Sequence, residues 1–338
     1  MIAFVWWIGC MTPESIDLAP ALNTLATRFT QSRYDAFANE TANLAQAATD
    51  LCGTVDANGL QAVRTAWWDA RKPWKETELV KFGPVEELPE RLGPKLDRWP
   101  VNVEDIEALV AGTEPVDADS FQSRGATLRG LPVVEALLWS QGDKTLDAYM
   151  ADDRRCQTLA GATGDVAANA AELAELWREP WTPRLTTPSE RPYQTEQDVL
   201  DEWVNRMAFT VENIRSTKLG KPLGDDNGGT VDPTLLESRF SGRSLADARD
   251  ALAGVSEVWS TVRTLVTDEA LVADLDQTVA TVEERLGEVP EPLIETLVVQ
   301  PEIVVRAQEV LRTLQVAIQV DLAQNLSVTI TFNDNDGD

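Results

Sequence analysis

The stretch QTEQDVLDEWVNRMAFTVENIRST, residues 194–217, sets Leu200, Trp203, Met207, Val211 and Ile214 three or four positions apart. That spacing follows the turn of an α-helix, so the five apolar side chains share one face. The same stepping recurs on both sides of it. Leu18, Leu22, Leu25 and Phe29 form one stripe, and Val166, Ala170, Leu173 and Trp177 form another within residues 144–178. Ala307, Leu311, Leu314 and Ile318 form a third near the end. Each stripe is the core face of an amphipathic helix, and long amphipathic helices with few strands between them imply helix bundles.

Proline and glycine mark the breaks. Residues 83–101, from Gly83-Pro84 through Gly93-Pro94 to Trp99-Pro100, hold too many large side chains for a flexible linker and read as an ordered loop. Residues 179–193 carry Pro180, Pro183, Pro188 and Pro192 and are the best candidate for a connection between bundles. A second long loop covers 219–234. Only Ser327 to Phe332 alternates as a strand does, with Val328, Ile330 and Phe332 on one side, so a short β-like segment is expected there. The expected class is all-α, with a first bundle over 17–180 and a second over 193–338. The tryptophans, among them Trp67, Trp74, Trp139, Trp177, Trp203 and Trp259, fall on predicted helices and are read as core packing.

The chain has 338 residues and a formal net charge of −27. Such a surface repels phosphate backbones and anionic lipid, so nucleic acid and electrostatic membrane binding are excluded as functions, and cations are attracted instead. There is no histidine. Serine–histidine–aspartate and cysteine–histidine catalysis are therefore excluded, as are imidazole metal ligands. Any metal would be held mainly by oxygen, which favours hard cations such as iron or calcium bound by carboxylates.

Residues 2–9 are a short apolar run, too short to span a bilayer, and read as the end of a truncated secretory signal over residues 1–10. Trp7-Ile8-Gly9-Cys10 is lipobox-like, which makes Cys10 the expected lipidation site and a lipid anchor the expected contact with the membrane. Met11 follows the cysteine, which points to the outer rather than the inner membrane of a double-membrane cell. Cys52 and Cys156 remain and both fall in helical sequence. In an exported chain they are expected to pair, and such a bridge would stabilise by roughly 4–5 kcal/mol.

Several blocks taken together resemble one family. They are Ala66-Trp67-Trp68-Asp69-Ala70-Arg71-Lys72-Pro73-Trp74 with Glu78 through Pro84, then Asp97-Arg98-Trp99-Pro100, Arg129 through Trp139, and Arg154-Arg155-Cys156. Leu219 through Gly224, Glu237-Ser238-Arg239-Phe240-Ser241 and the ending Phe332 through Asp338 complete the set. In order and spacing the chain resembles the imelysin family, which is classed with the M75 peptidases. The resemblance implies two four-helix bundles packed side by side with a site in the cleft between them. It also implies an exported, often lipid-anchored protein of the kind linked to metal uptake, and a partner in the outer membrane or an uptake system.

The family's hallmark is GxHxxE, in which histidine and glutamate share a helix face. Here it reads Gly130-Leu131-Pro132-Val133-Val134-Glu135, with proline in place of the histidine. Proline cannot ligate a metal, and it is tolerated only where a helix begins. A helix starting at Pro132 is expected, with Glu135 in its first turn under the favourable end of the dipole. The family pattern would bring Glu78, Asp97, Glu135 and Glu237 near the cleft, where they would need a cation, protons or arginine partners. Arg71, Arg98, Arg129 and Arg239 are the nearby candidates for neutralising them. Asp334, Asp336 and Asp338 resemble half of a calcium loop and are read as a solvated tail. The functional expectation is a non-enzymatic binding protein of a metal or iron uptake system or a surface complex, with a degenerate inter-bundle site. Its rivals are a metallopeptidase, as the family label suggests, and an interaction scaffold without ligand.

Overall fold

In the computed structural model, which describes residues 16–331, the stretch that opened the sequence is a helix with a reciprocal cap. The Thr195 hydroxyl accepts from the Asp198 amide, and the Asp198 carboxylate accepts from the Thr195 amide, satisfying two donors that a helix start leaves open. Eight helices frame the site. They are α1 (Ser32–Gly53), α2 (Ala57–Glu76), α3 (Leu131–Trp139) and α4 (Asp153–Leu176), then α5 (Glu196–Asn213), α6 (Ser244–Val262), α7 (Glu269–Glu288) and α8 (Pro301–Val316). Leu200, Trp203, Met207, Val211 and Ile214 are all buried, as the stripe requires.

In the first half α1 packs against α2 and α4, and α3 lies against α2 and α4. In the second, α5 lies against α6 and α8, and α7 lies against α8 and α6. The halves meet along α2 and α6. Gly254 makes that contact close: a Cβ there would stand 1.9 Å from the Glu76 carbonyl oxygen, so only glycine fits. An aromatic cluster fills the neighbouring core. Phe82 meets Trp177 and Trp203 edge-on at 5.5 Å each, and Tyr34 stacks on Trp177 at 5.6 Å. Trp67, Trp177 and Trp203 are fully buried, so packing is what these tryptophans do.

Over 83–101 the loop is ordered, with Pro84, Val85, Leu92 and Leu96 buried and short helical turns at Gly83–Val85 and Gly93–Leu96. The expected C-terminal strand does not form over 327–331. Its backbone has no neighbouring strand; instead the Asn205 side chain donates to the Thr329 carbonyl at 2.8 Å and accepts from the Thr331 amide at 2.9 Å. Among the described residues there is no sheet, only an isolated bridge between Glu190 and Tyr193. Cys52 ends α1 and Cys156 begins α4; both thiols are free and within hydrogen-bond reach of each other. No described helix is long and apolar enough to cross a membrane. Cys10 and the aspartates at 334, 336 and 338 lie outside the described residues.

Candidate functional site

The last turns of α2 put Arg71, Lys75 and, just beyond the helix, Glu78 on the side that faces the second half. From that half, a π-helical turn over Ile214–Gly220 carries Lys218. π-Turns shift a side chain off the helical register and often mark functional positions. Glu237 and Ser238 come from the loop that leads into α6. Ser238 holds a left-handed φ of 52° and Gly242 one of 73°, so this loop is bent sharply onto the interface. Asp97 follows the turn Gly93–Leu96. Gly130 sits against that turn, and a Cβ on it would stand 2.6 Å from the Leu96 carbonyl oxygen at a φ of 85°.

These side chains form one buried ionic network. Arg71, 1% exposed, donates to Asp97 Oδ1 at 2.7 Å, to Glu237 Oε1 at 3.0 Å, and twice to Asp247 Oδ2 at 3.0 Å. Lys75 Nζ lies 2.6 Å from Glu237, 3.0 Å from Asp97 and 3.4 Å from Glu78. Lys218 Nζ lies 3.0 Å from Glu78 and also pairs with Glu237. Lys75, Glu78, Lys218 and Glu237 thus close a ring of alternating charge with two members from each half. Trp74 Nε1 donates to Asp97 at 2.7 Å, Asn213 donates to Glu78 at 2.5 Å, and Arg243 pairs with Asp247 from the far side.

The titration of these groups follows from that arrangement. Burial alone would raise the Glu78 carboxyl, but the Lys218, Lys75 and Lys81 ammoniums outweigh it and hold it at about 2. For Asp97 burial again raises, and Arg71 and Lys75 prevail, leaving it at about 2. Against burial, Lys218, Lys75 and Arg71 together hold the Glu237 carboxyl well below the carboxylate range. Burial and the neighbouring Arg71 would lower Lys75, and the three carboxylates around it carry it above its ordinary value. Glu78, Asp97 and Glu237 are therefore ionised at neutral pH, and so is Lys75.

Glu135 behaves differently. Helix α3 begins at Leu131, one residue before the expected start, so Pro132 occupies an early position where its missing donor costs nothing. Glu135 consequently lies beyond the first turn and not within it. It is 3% exposed, and burial raises its carboxyl to about 7 despite the Ser241 amide and hydroxyl, which donate to Oε1 at 2.8 and 2.7 Å. Glu135 thus pins the loop before α6 onto α3.

Of the expected residues, Glu78, Asp97 and Glu237 converge, and Arg71 neutralises two of them. Arg129 is elsewhere: it is buried within the first half against Asp165. Arg239 donates to the Thr234 carbonyl and stacks on Phe240, outside the network. Arg98 lines the neighbouring cavity. Lys75, Lys218, Asp247 and Arg243 were not anticipated, although Lys75 stands four residues after Arg71 and three before Glu78, on the same helix face.

Beside the ring lies a cavity of about 290 Å³ between the two halves, walled by Tyr34, Trp74 and Trp99 and edged by Lys81, Arg91 and Arg98. The carboxylates do not suit a metal. Each is already held by lysine or arginine, the histidine of the family motif is absent, and no group of three or more Cys, Asp or Glu side chains among the described residues could hold an ion. The Ser238 and Ser241 hydroxyls donate to the buried carboxylates of Asp247 and Glu135, and none of these four residues lines the cavity.

Comparison with known proteins agrees with this architecture. The imelysin (peptidase M75) family model matches residues 30–319. Iron-regulated protein A of Synechococcus elongatus is 28% identical over 281 residues, covering 78% of this chain and 72% of that protein. Two crystal structures share the fold. An imelysin-like protein from Psychrobacter arcticum 273-4 has a TM-score of 0.79 at 17% identity, covering 94% of this chain and all of that one. A candidate iron-regulated protein A precursor from Parabacteroides distasonis ATCC 8503 has a TM-score of 0.80 at 18% identity, covering 94% and 97%. With the family model spanning most of its length, the chain belongs to the imelysin family.

Proposed function

We propose that this protein is an exported, lipid-anchored binding protein of an iron-handling system, without enzymatic activity, whose ligand sits in the cavity between the two halves. One observation carries the reading: both halves contribute to a buried, self-neutralised network that borders a cavity, with no metal cluster among the described residues. The link to iron draws on the iron-regulated relative, and the exported state on the relative described as a precursor. The lipobox-like Trp7-Ile8-Gly9-Cys10 supplies the anchor.

Three measurements test it. The abundance of the protein rises when an iron chelator is added to the culture; unchanged abundance removes the iron link. Palmitate labels the wild-type protein and not Cys10→Ser; equal labelling of both, or of neither, removes the anchor. Unfolded casein stays intact with added iron, zinc or calcium. Metal-dependent cleavage lost in Glu135→Ala would establish a peptidase instead.

A further inference from the structure

We propose that the cavity between the halves binds a small polycarboxylate anion, free or as its iron chelate, with Arg91 and Arg98 receiving the carboxylates. The inference deepens the reading above and rests on it. Charge is the first argument. The chain carries a net −27, yet the cavity wall has five cationic side chains against four acidic ones. Three of those acids, Glu78, Asp97 and Glu237, are already paired with Lys75, Lys218 or the buried Arg71 behind them. Only Glu86 among them is exposed. Lys75 and Lys218 are spent on those three paired acids, and Lys81 lies 3.7 Å from Glu78. The positive charge left to the cavity is that of Arg91 and Arg98, on a strongly negative molecule, and low-dielectric walls concentrate such a field.

The second argument is the availability of donors. Arg91 and Arg98 are exposed on the cavity edge, and neither has a carboxylate within ion-pair distance among the described residues. A guanidinium in that state presents a planar fork that matches a carboxylate in two parallel hydrogen bonds. Arg91 also holds a left-handed φ of 39°, which is uncommon for a non-glycine residue. The surrounding backbone imposes it: the Arg91 amide donates to the Glu87 carbonyl and the Leu92 amide to the Pro84 carbonyl, each at 2.9 Å. Residues held in such conformations cluster at ligand sites.

Size and lining narrow the class. A volume of about 290 Å³ stands at the small end of ligand pockets, which excludes a peptide and suits a metabolite-sized anion. Trp74, Trp99 and Tyr34 supply flat apolar walls for its carbon frame. An iron chelate brings its own metal ligands, so the absence of a three-residue metal cluster among the described residues does not oppose it.

The test is calorimetric titration of the full chain with citrate, ferric citrate and inorganic phosphate, on the wild type and on the double variant Arg91→Gln/Arg98→Gln. Both arginines are exposed, so the variant keeps its thermal midpoint. One-site binding of citrate or ferric citrate is expected, weakened about ten- to hundredfold in the double variant. Binding of citrate alone identifies the free anion, and preference for ferric citrate identifies the chelate. Equal affinity in wild type and variant, a response to phosphate only, or no response to any probe overturns the inference. In each of those cases, a protein that still accumulates on iron depletion retains its proposed role.

Discussion

Glu135 has one partner residue, Ser241, and no cation within ion-pair distance among the described residues, and its carboxyl titrates near 7. A carboxyl raised on folding binds more protons folded than unfolded between about 4.5 and 7. Stability contributed by the protonated form is therefore complete below that window and declines as pH rises through it, by about 3 kcal/mol. Glu135→Gln keeps the acceptor for Ser241 without the charge. Thermal melts should place it above the wild type at pH 8 and level with it at pH 4; a variant less stable at pH 8 contradicts this account. The residue itself was legible from its place in the motif; the helix start expected at Pro132 came one residue early, at Leu131, which moved Glu135 out of the first turn. Its burial was not legible, because that depends on Ser241, more than a hundred positions away. The lysine partners escaped for a similar reason: sequence spacing shows that Lys75 shares a face with Arg71, but not that two carboxylates arrive from the other half.

At the scale of elements, the helices could be read because burial on one face imposes a period that survives any tertiary detail. The alternating 327–332 misled because alternation specifies a face and not a partner, and the Asn205 side chain satisfies the backbone there instead. Two element contacts invite tests. Gly254→Ala forces a methyl into the Glu76 carbonyl, which separates α2 from α6; denaturant unfolding should show a loss of about 3 kcal/mol, and a loss near zero would mean that the halves are not locked there. Cys52 and Cys156 face each other where α1 meets α4. Oxidation by a small-molecule disulfide should join them and raise the unfolding free energy by about 4 kcal/mol, an effect absent in Cys52→Ser. Free thiols after oxidation would rule out the bridge.

For the whole molecule, the ring of Lys75, Glu78, Lys218 and Glu237 is what ties one half to the other by charge. Glu78 and Asp97 are depressed to about 2, so their contribution is complete above their ordinary values and is lost as pH falls from about 4.5 through 2. With Glu135 acting in the opposite sense at higher pH, unfolding free energy should peak at mildly acidic pH and fall steeply below 4. A flat profile down to pH 3 would show that the network adds nothing. The central claim is that lysine and arginine occupy the role a metal would otherwise have between the halves. Calorimetric titration of the wild-type chain with iron(II), calcium, copper and zinc salts, free of any chelating anion, tests it most directly. The account predicts no saturable site for any of them; a one-site isotherm that disappears in Glu135→Ala would contradict it.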